Sequence, residues 1–292
     1  MKFFYLLKAA VVNSSVQLLF RISSLILAIM LIKNLNIEDF ANFQIIKNAI
    51  GYLLISMEFG FFHFGNTLFN KDLYRFKSIL FSFIKLRILV FLIFFPLIFL
   101  YFYLIQFSKE IIFFSSIICF FLIISYEGAL ITINKNLQWN LIFLFKTLLF
   151  LFLVFVYKND LNLQKVLIFF IYSIIFSIII QYLIYLSFKD KNIKVLKNRF
   201  LEFALKAKNY FIISLSNHFT VYLGLTIAPF LISKNEIANY AILLLVLEVL
   251  LIPLFQLQKI IMPDYSKIKD KQMILKSLTL FVIALVVGLF IH

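Results

Sequence analysis

Polar residues recur inside the first long apolar stretch of this sequence at a spacing that suits one face of a helix. The steps between them are four, four and three residues, which aligns them along the helix axis: Asn13, Gln17, Arg21 and Ser24. A charge in apolar surroundings is costly, so such groups tend to face a bundle interior. The planar guanidinium of Arg21 can donate two parallel hydrogen bonds, which suits a diphosphate.

The second apolar stretch carries a similar polar face. Lys47, Gly51 and Glu58 lie on one side of the predicted helix, with Gln44 and Asn48 close beside it. The two stretches together predict a cationic, hydrogen-bonding stripe that lines a central cavity and binds an anionic head group. The candidate binding residues are Arg21, Lys47, Asn13, Gln17 and Asn48.

Acidic residues inside apolar stretches are candidates for ion coupling or for pairing with these cations. They are Glu58, Glu127 and Glu248. The alternative interpretation is that the polar groups pair among themselves, for example Lys47 with Glu58, and only determine how the helices pack.

Three further polar residues have simpler interpretations. Lys85 and Arg87 lie near one end of an apolar stretch, so we expect their long side chains to extend to the membrane interface. His218 could titrate near neutral pH, but a lone histidine is more often a packing residue.

The elements that must position these residues are membrane-spanning helices. Of the 292 residues 64% are hydrophobic and 14% charged, whereas a soluble domain has about 25% charged residues. This composition excludes a cytosolic enzyme, a secreted domain and a disordered chain. A spanning helix needs about 20 apolar residues, and nine such runs are present: 9–32, 41–65, 79–105, 111–133, 139–157, 163–187, 208–232, 237–261 and 273–291. We therefore predict an all-α polytopic membrane protein.

A long polar stretch divides the predicted helices into two groups. Residues 1–188 form a six-helix transmembrane bundle, and residues 209–292 supply three helices, the first half of a second bundle. The stretch between them, 189–208, alternates basic and apolar residues. This pattern is typical of an amphipathic helix on the lipids of the inner leaflet, and equally of a plain cytoplasmic linker.

The positive charge of the chain reports its orientation. The net charge is +15, which in a membrane protein is first explained by basic residues retained in cytoplasmic loops. With the N-terminus in the cytoplasm, 18 of the 28 Lys and Arg residues lie on the inside and 5 on the outside. We therefore predict a cytoplasmic N-terminus, and no nucleic-acid partner is needed to explain the charge.

A short motif occurs twice, six helices apart. Residues 38–43 (Glu-Asp-Phe-Ala-Asn-Phe) and 235–240 (Asn-Glu-Ile-Ala-Asn-Tyr) both begin a predicted helix on the same side of the membrane. Their acidic residues suit the positive end of a helix dipole. Parallel repeats of this kind build transporters from two similar halves. Pro229 and Pro253 would kink helices of the second half.

The sequence resembles a known family at these motifs. Residues 36–43, with the apolar helix that follows and Met57-Glu58-Phe59-Gly60-Phe61, resemble the first two helices of the O-antigen and capsule repeat-unit flippases, which belong to the multidrug/oligosaccharidyl-lipid/polysaccharide exporter superfamily. Residues 236–240, Pro253 and 261–263 resemble the start of their second half. The family often has glycine where this chain has Ala41 and Ala238.

The resemblance implies two six-helix bundles around a cationic cavity, working by alternating access in the bacterial inner membrane. The implied substrate is a polyprenyl-diphosphate-linked oligosaccharide, moved to the outer leaflet with possible coupling to H⁺ or Na⁺ and passed to polymerase or ligase machinery. Family members usually have twelve or more helices, so nine helices imply a truncated chain or one completed by a partner.

Other classes stay open. The sequence has no P-loop, no Gly-rich dinucleotide turn and no HExxH motif, and its single Cys119 excludes a disulfide framework. We therefore expect no catalytic residue, cofactor or metal. The alternatives are an ion-coupled multidrug exporter of the same superfamily, which would favour acidic over basic cavity residues, a membrane-embedded polysaccharide-assembly enzyme, and an inactive remnant.

Overall fold

The computed structural model describes residues 2–59, 76–125, 136–186 and 200–247, and within these ranges the chain is helical with no strand. Within the described residues seven helices are α1 (Lys2–Asn34), α2 (Ile37–Glu58), α3 (Phe76–Leu104), α4 (Lys109–Ile124), α5 (Asn136–Val156), α6 (Leu163–Leu186) and α7 (Phe200–Leu231). A 3-10 turn, Lys158–Asp160, joins α5 to α6. An eighth helix, α8, is described over residues 234–247.

Five of these helices are long and apolar enough to cross a membrane. The qualifying segments are Ser15–Asn34 in α1, Ile84–Leu104 in α3, Leu137–Val156 in α5, Leu163–Leu186 in α6 and Ala207–Leu231 in α7. The prediction of an all-α polytopic membrane protein is therefore confirmed, and each segment coincides with one of the nine predicted spans.

The other four predicted spans are not among these qualifying segments, for different reasons. The helix α2 contains four charged residues and twelve buried ones, so it is sheltered by its neighbours rather than apolar in itself. The helix α4 has 16 residues, fewer than a typical span. The eighth span is described only in part and the ninth lies outside the described residues, so the count of nine stays a prediction.

The helix α2 is the centre of the described bundle. It packs mainly against α3 and α7 and also touches α1, α4 and α6, whereas α1 runs along α5, and α6 packs on α4 and α5. Phe43 of α2 meets Phe150 of α5 and Phe170 of α6 edge to face, with ring centroids 6.1 Å apart in both pairs. This aromatic cluster packs α2 against α5 and α6.

Four helices begin at the same end of the bundle, which we call the capped end. The side chain before each helix accepts a hydrogen bond from an amide of the first turn, and these caps are Asn36, Ser108, Asn162 and Ser233. Each cap satisfies a backbone donor that the helix itself leaves unpaired. Asp39 Oδ2 also accepts from the Leu163 amide at 3.3 Å, which ties the start of α2 to the start of α6.

The chain divides into two compact units, Met1–Ala241 and Ile242–His292. The first unit therefore contains α7 as well as the six helices predicted to form one bundle. Residues 200–208, assigned from the sequence to the cytoplasmic linker, belong to α7, and residues 187–199 lie outside the described part. The predicted division at residues 188 and 209 stays a prediction.

Candidate functional site

The helix α2 combines deep burial with polar side chains. Gln44, Asn48 and Ser56 are 7%, 8% and 0% exposed. A buried polar group that lacks a hydrogen-bond partner is costly. The residues that pair with these side chains therefore show which neighbouring helices α2 contacts through polar groups. On one side the partners come from α7, and the contacts between residues 48–59 and residues 211–226 are called the α2–α7 seam below.

The centre of the seam is a hydrogen-bonded cluster around Thr226 of α7. Asn48 Nδ2 donates to Thr226 Oγ1 at 3.0 Å and lies 3.5 Å from the Tyr222 carbonyl oxygen. The Thr226 hydroxyl in turn donates toward Tyr52 Oη (3.2 Å) and the Tyr222 carbonyl oxygen (3.1 Å). Tyr101 of α3 donates to the Thr226 carbonyl oxygen at 3.0 Å. One residue thus links three helices, and we call this group the Thr226 cluster.

The Thr226 cluster contains one hydrogen-bond acceptor that has no donor among the described residues. Asn48 Oδ1 is buried and accepts no hydrogen bond from any residue in the described ranges. Because an unsatisfied buried acceptor costs about 1–3 kcal/mol, the site favours a group that donates a hydrogen bond. A hydroxyl group or a water molecule has the right chemistry.

His218 packs into the same seam, against Gly51. A Cβ atom on Gly51 would lie 3.1 Å from both Cε1 and Nε2 of the His218 ring, so the absence of a side chain allows the close approach. The ring also meets Tyr52 at a centroid distance of 4.5 Å and Tyr222 at 4.4 Å. His218 is therefore half-buried between two aromatic rings and the backbone of α2.

The seam ends at a strained residue. Phe59 follows the last residue of α2 with φ at 42°, in the left-handed region that costs a side-chain-bearing residue about 1–2 kcal/mol. Its ring stacks on Phe211 of α7 at a centroid distance of 4.6 Å and an interplanar angle of 14°. Such a stack contributes about 0.5–1.5 kcal/mol, so α7 compensates much of the strain.

The structure places Lys47 and Glu58 on α2 as predicted, but it separates them. Eleven residues of continuous helix correspond to about 16 Å of rise, which exceeds the combined reach of the two side chains. The direct ion pair between them is therefore excluded. Lys47 is exposed among the described residues and Glu58 is half-buried, so Lys47 emerges from a helix that is otherwise mostly buried.

Arg21 and Gln17 lie on α1 and are half-buried. Their helix runs along α5 and touches α2 only slightly. The two halves of the predicted cationic stripe therefore lie on helices with different main partners. The predictions for the Asn13 side chain, for Glu127 and for Glu248 lie outside the described residues.

The prediction that Arg87 extends to the membrane interface is wrong. Its side chain is 2% exposed, and its Nη1 donates to the carbonyl oxygen of Ser125, where α4 ends. Because α4 is short, its last carbonyl groups need a donor inside the protein, and the guanidinium provides one. Lys85, two residues earlier, is exposed.

Several residues of the seam and of the Thr226 cluster were not predicted from the sequence. Tyr52, Tyr101, Tyr222 and Thr226 are uncharged, so a search for ionisable groups in apolar stretches passes over them. The spacing of His218, Tyr222 and Thr226 is four residues each time, which places all three on one face of α7. That spacing is the signal that could have found them.

The fold and the seam define an all-α, multi-pass membrane protein whose central helix buries three polar side chains among apolar ones. Among the described residues no group of three or more His, Cys, Asp or Glu side chains could hold a metal ion. Comparisons with protein-family models, curated proteins and solved structures gave no match.

Proposed function

We propose that this chain moves a polyprenyl-diphosphate-linked oligosaccharide, such as an O-antigen or capsule repeat unit, across the bacterial inner membrane by alternating access. A head group with many hydroxyls and a diphosphate needs hydrogen-bonding partners and positive charge inside an apolar bundle. The α2–α7 seam supplies hydroxyl, amide and aromatic groups in such a bundle, and Lys47 supplies a cation next to Asn48.

The exposed Lys47 carries the proposal. It places a positive charge on the central helix of the bundle, directly before Asn48 in the sequence, and cations inside a membrane bundle typically mark substrate pathways. Arg21 and Gln17 on α1 are the second set of contacts in this scheme, and Glu58 is the candidate for ion coupling.

The proposed function also implies an orientation in the membrane and a set of partners. The excess of basic residues on one side of the predicted topology supports a cytoplasmic N-terminus, and the capped end then faces away from the cytoplasm. In that orientation the oligosaccharide is delivered where polymerase or ligase machinery uses it. The membrane lipids contact the apolar faces of the spanning helices.

The test is the surface polysaccharide of a strain that depends on this gene. We expect Lys47→Ala to lower polymer export about tenfold or more, because a hydrogen bond to a charged group contributes about 1.5–3 kcal/mol. The variant Lys47→Arg should retain export, and Arg21→Ala should reduce it. Lys85→Ala is the matched control, since Lys85 is also an exposed cation of a spanning segment but lies on α3. Unchanged polymer in Lys47→Ala at normal protein level would refute the role of Lys47.

A further inference from the structure

Lys234 joins three parts of the chain at the capped end. It stands in the first turn of α8, and its Nζ donates to Asn42 Oδ1 of α2 at 2.7 Å. The same ammonium lies 5.3 Å from the ring centroid of Phe107, in the loop between α3 and α4. Each contact connects the residue directly before the second copy of the repeated motif with the part of the chain that contains α1 to α6.

The partner of this ammonium is a neutral one. No described carboxylate forms an ion pair with Lys234, and Glu38 acts on it only through space. Burial lowers the pKa of Lys234, because half-buried surroundings disfavour the charged form, while Glu38 opposes this effect. The Lys234 ammonium is therefore held by the Asn42 amide oxygen and the Phe107 ring rather than by a carboxylate. These contacts position α8 against α2, and they break more readily than an ion pair would.

The hydrogen bond between Lys234 and Asn42 lies where α2 begins and α7 ends. Ala41, one residue before Asn42, and Ala238, one turn after Lys234, are 0% and 3% exposed, so the starts of both helices are closely packed. The helix α7 ends at Leu231, three residues before Lys234, so the bond from Lys234 to Asn42 also holds this end of α7 near the start of α2. Separation of α7 from α2 at this end therefore requires that Lys234 leave Asn42.

We propose that Lys234 and Asn42 form a latch that keeps the α2–α7 seam closed at the capped end, and that the seam opens there when the latch breaks. The latch is a positioning device and touches no proposed substrate. It goes beyond the proposed function, since it would serve any solute that leaves through this end.

The experiment measures how readily a reagent reaches the seam. Purified protein in lipid nanodiscs carries Cys119→Ala to remove the native thiol and Leu225→Cys as the reporter, because Leu225 is 4% exposed and lies within the α7 part of the seam, next to Thr226. A water-soluble maleimide then labels the reporter only when the seam opens. We expect Lys234→Ala to raise the labelling rate about tenfold, the effect of losing a charged hydrogen bond.

Two further variants make the result specific. Lys158→Ala is the matched control, because Lys158 lies in another loop of the capped end, 5.3 Å from the Phe155 ring, and should leave the rate unchanged. Asn42→Asp replaces the neutral partner by a carboxylate and should slow labelling about threefold. The latch is overturned if Lys234→Ala labels no faster than Lys158→Ala, or if Asn42→Asp labels no slower than the parent. No substrate is needed, so failure here is distinct from failure of the proposed function.

Discussion

Replacement of Thr226 by valine tests whether the seam is held by hydrogen bonds. Valine keeps the shape of threonine and removes the hydroxyl, so the change isolates the polar contacts of the Thr226 cluster. The variant loses the bond from Asn48 at 3.0 Å and the bond toward Tyr52 at 3.2 Å. Asn48 Nδ2 then retains only the Tyr222 carbonyl oxygen, at 3.5 Å.

The expected loss of unfolding free energy is about 1–2 kcal/mol. Hydrogen bonds between membrane helices average about 0.6 kcal/mol and reach about 1.7 kcal/mol, and two are lost. The burial of Asn48, which is 8% exposed, moves the estimate upward, because an unsatisfied buried amide costs about 1–3 kcal/mol. The unfolded chain in detergent also finds polar partners, which keeps the value from being larger.

The assay is unfolding by SDS in mixed micelles, followed by circular dichroism. Thr220→Val is the matched control, because Thr220 lies on α7, is exposed and donates only back to the Ser216 carbonyl oxygen at 2.9 Å. We expect the control to stay within about 0.5 kcal/mol of the parent. A double-mutant cycle with Asn48→Leu should give a coupling near 0.6 kcal/mol. Equal stability of the two valine variants, or zero coupling, would refute a seam held by these bonds.

Two other predictions concern the seam and the start of α8. Gly51→Ala should lower the unfolding free energy by about 1 kcal/mol in the same assay, since the new Cβ would lie 3.1 Å from the His218 ring, which packs against Tyr52 and Tyr222, and overpacking outweighs the gain in helix propensity. A more stable variant would contradict this. Bonds from the Ser233 amide and hydroxyl lower the pKa of Glu236. The carboxylate therefore stabilises the cap above roughly pH 4.3, and this contribution is lost as the pH falls through the lowered pKa. Hydrogen exchange of the Ser233 amide, corrected for its intrinsic rate, should show that loss of protection, and Glu236→Gln should abolish the pH dependence; an unchanged profile would contradict the bond.

The candidate site was predictable only in part. Asn48 and Lys47 follow from the sequence, because polar residues in an apolar stretch stand out, although neighbouring positions on a helix point in different directions. Their partners do not follow, since the same spacing fits any neighbouring helix. The sequence suggested that α1 and α2 present one stripe, whereas α1 packs along α5 and α2 packs against α7.

The partner of Arg87 was also not predictable from the sequence. Its position near the end of an apolar run is typical of a side chain that reaches the membrane interface. The decisive fact is that α4 ends at Ile124, so that the Ser125 carbonyl needs a donor. Arg87 can supply that donor only because α3 and α4 lie side by side, which no local pattern reports.

The sequence alone determined the class of protein and, at the repeated motif, where two of its helices begin. Transfer of about 20 apolar residues into a membrane is a local and nearly additive free energy, and caps such as Asn36 and Ser233 act within one turn. The tertiary structure decided which helices meet. Lipid tails are as apolar as leucine side chains, so apolar faces do not choose among partners. The choice depends on a few specific contacts, such as Asn48 with Thr226 and Gly51 with His218, whose residues lie far apart in the chain.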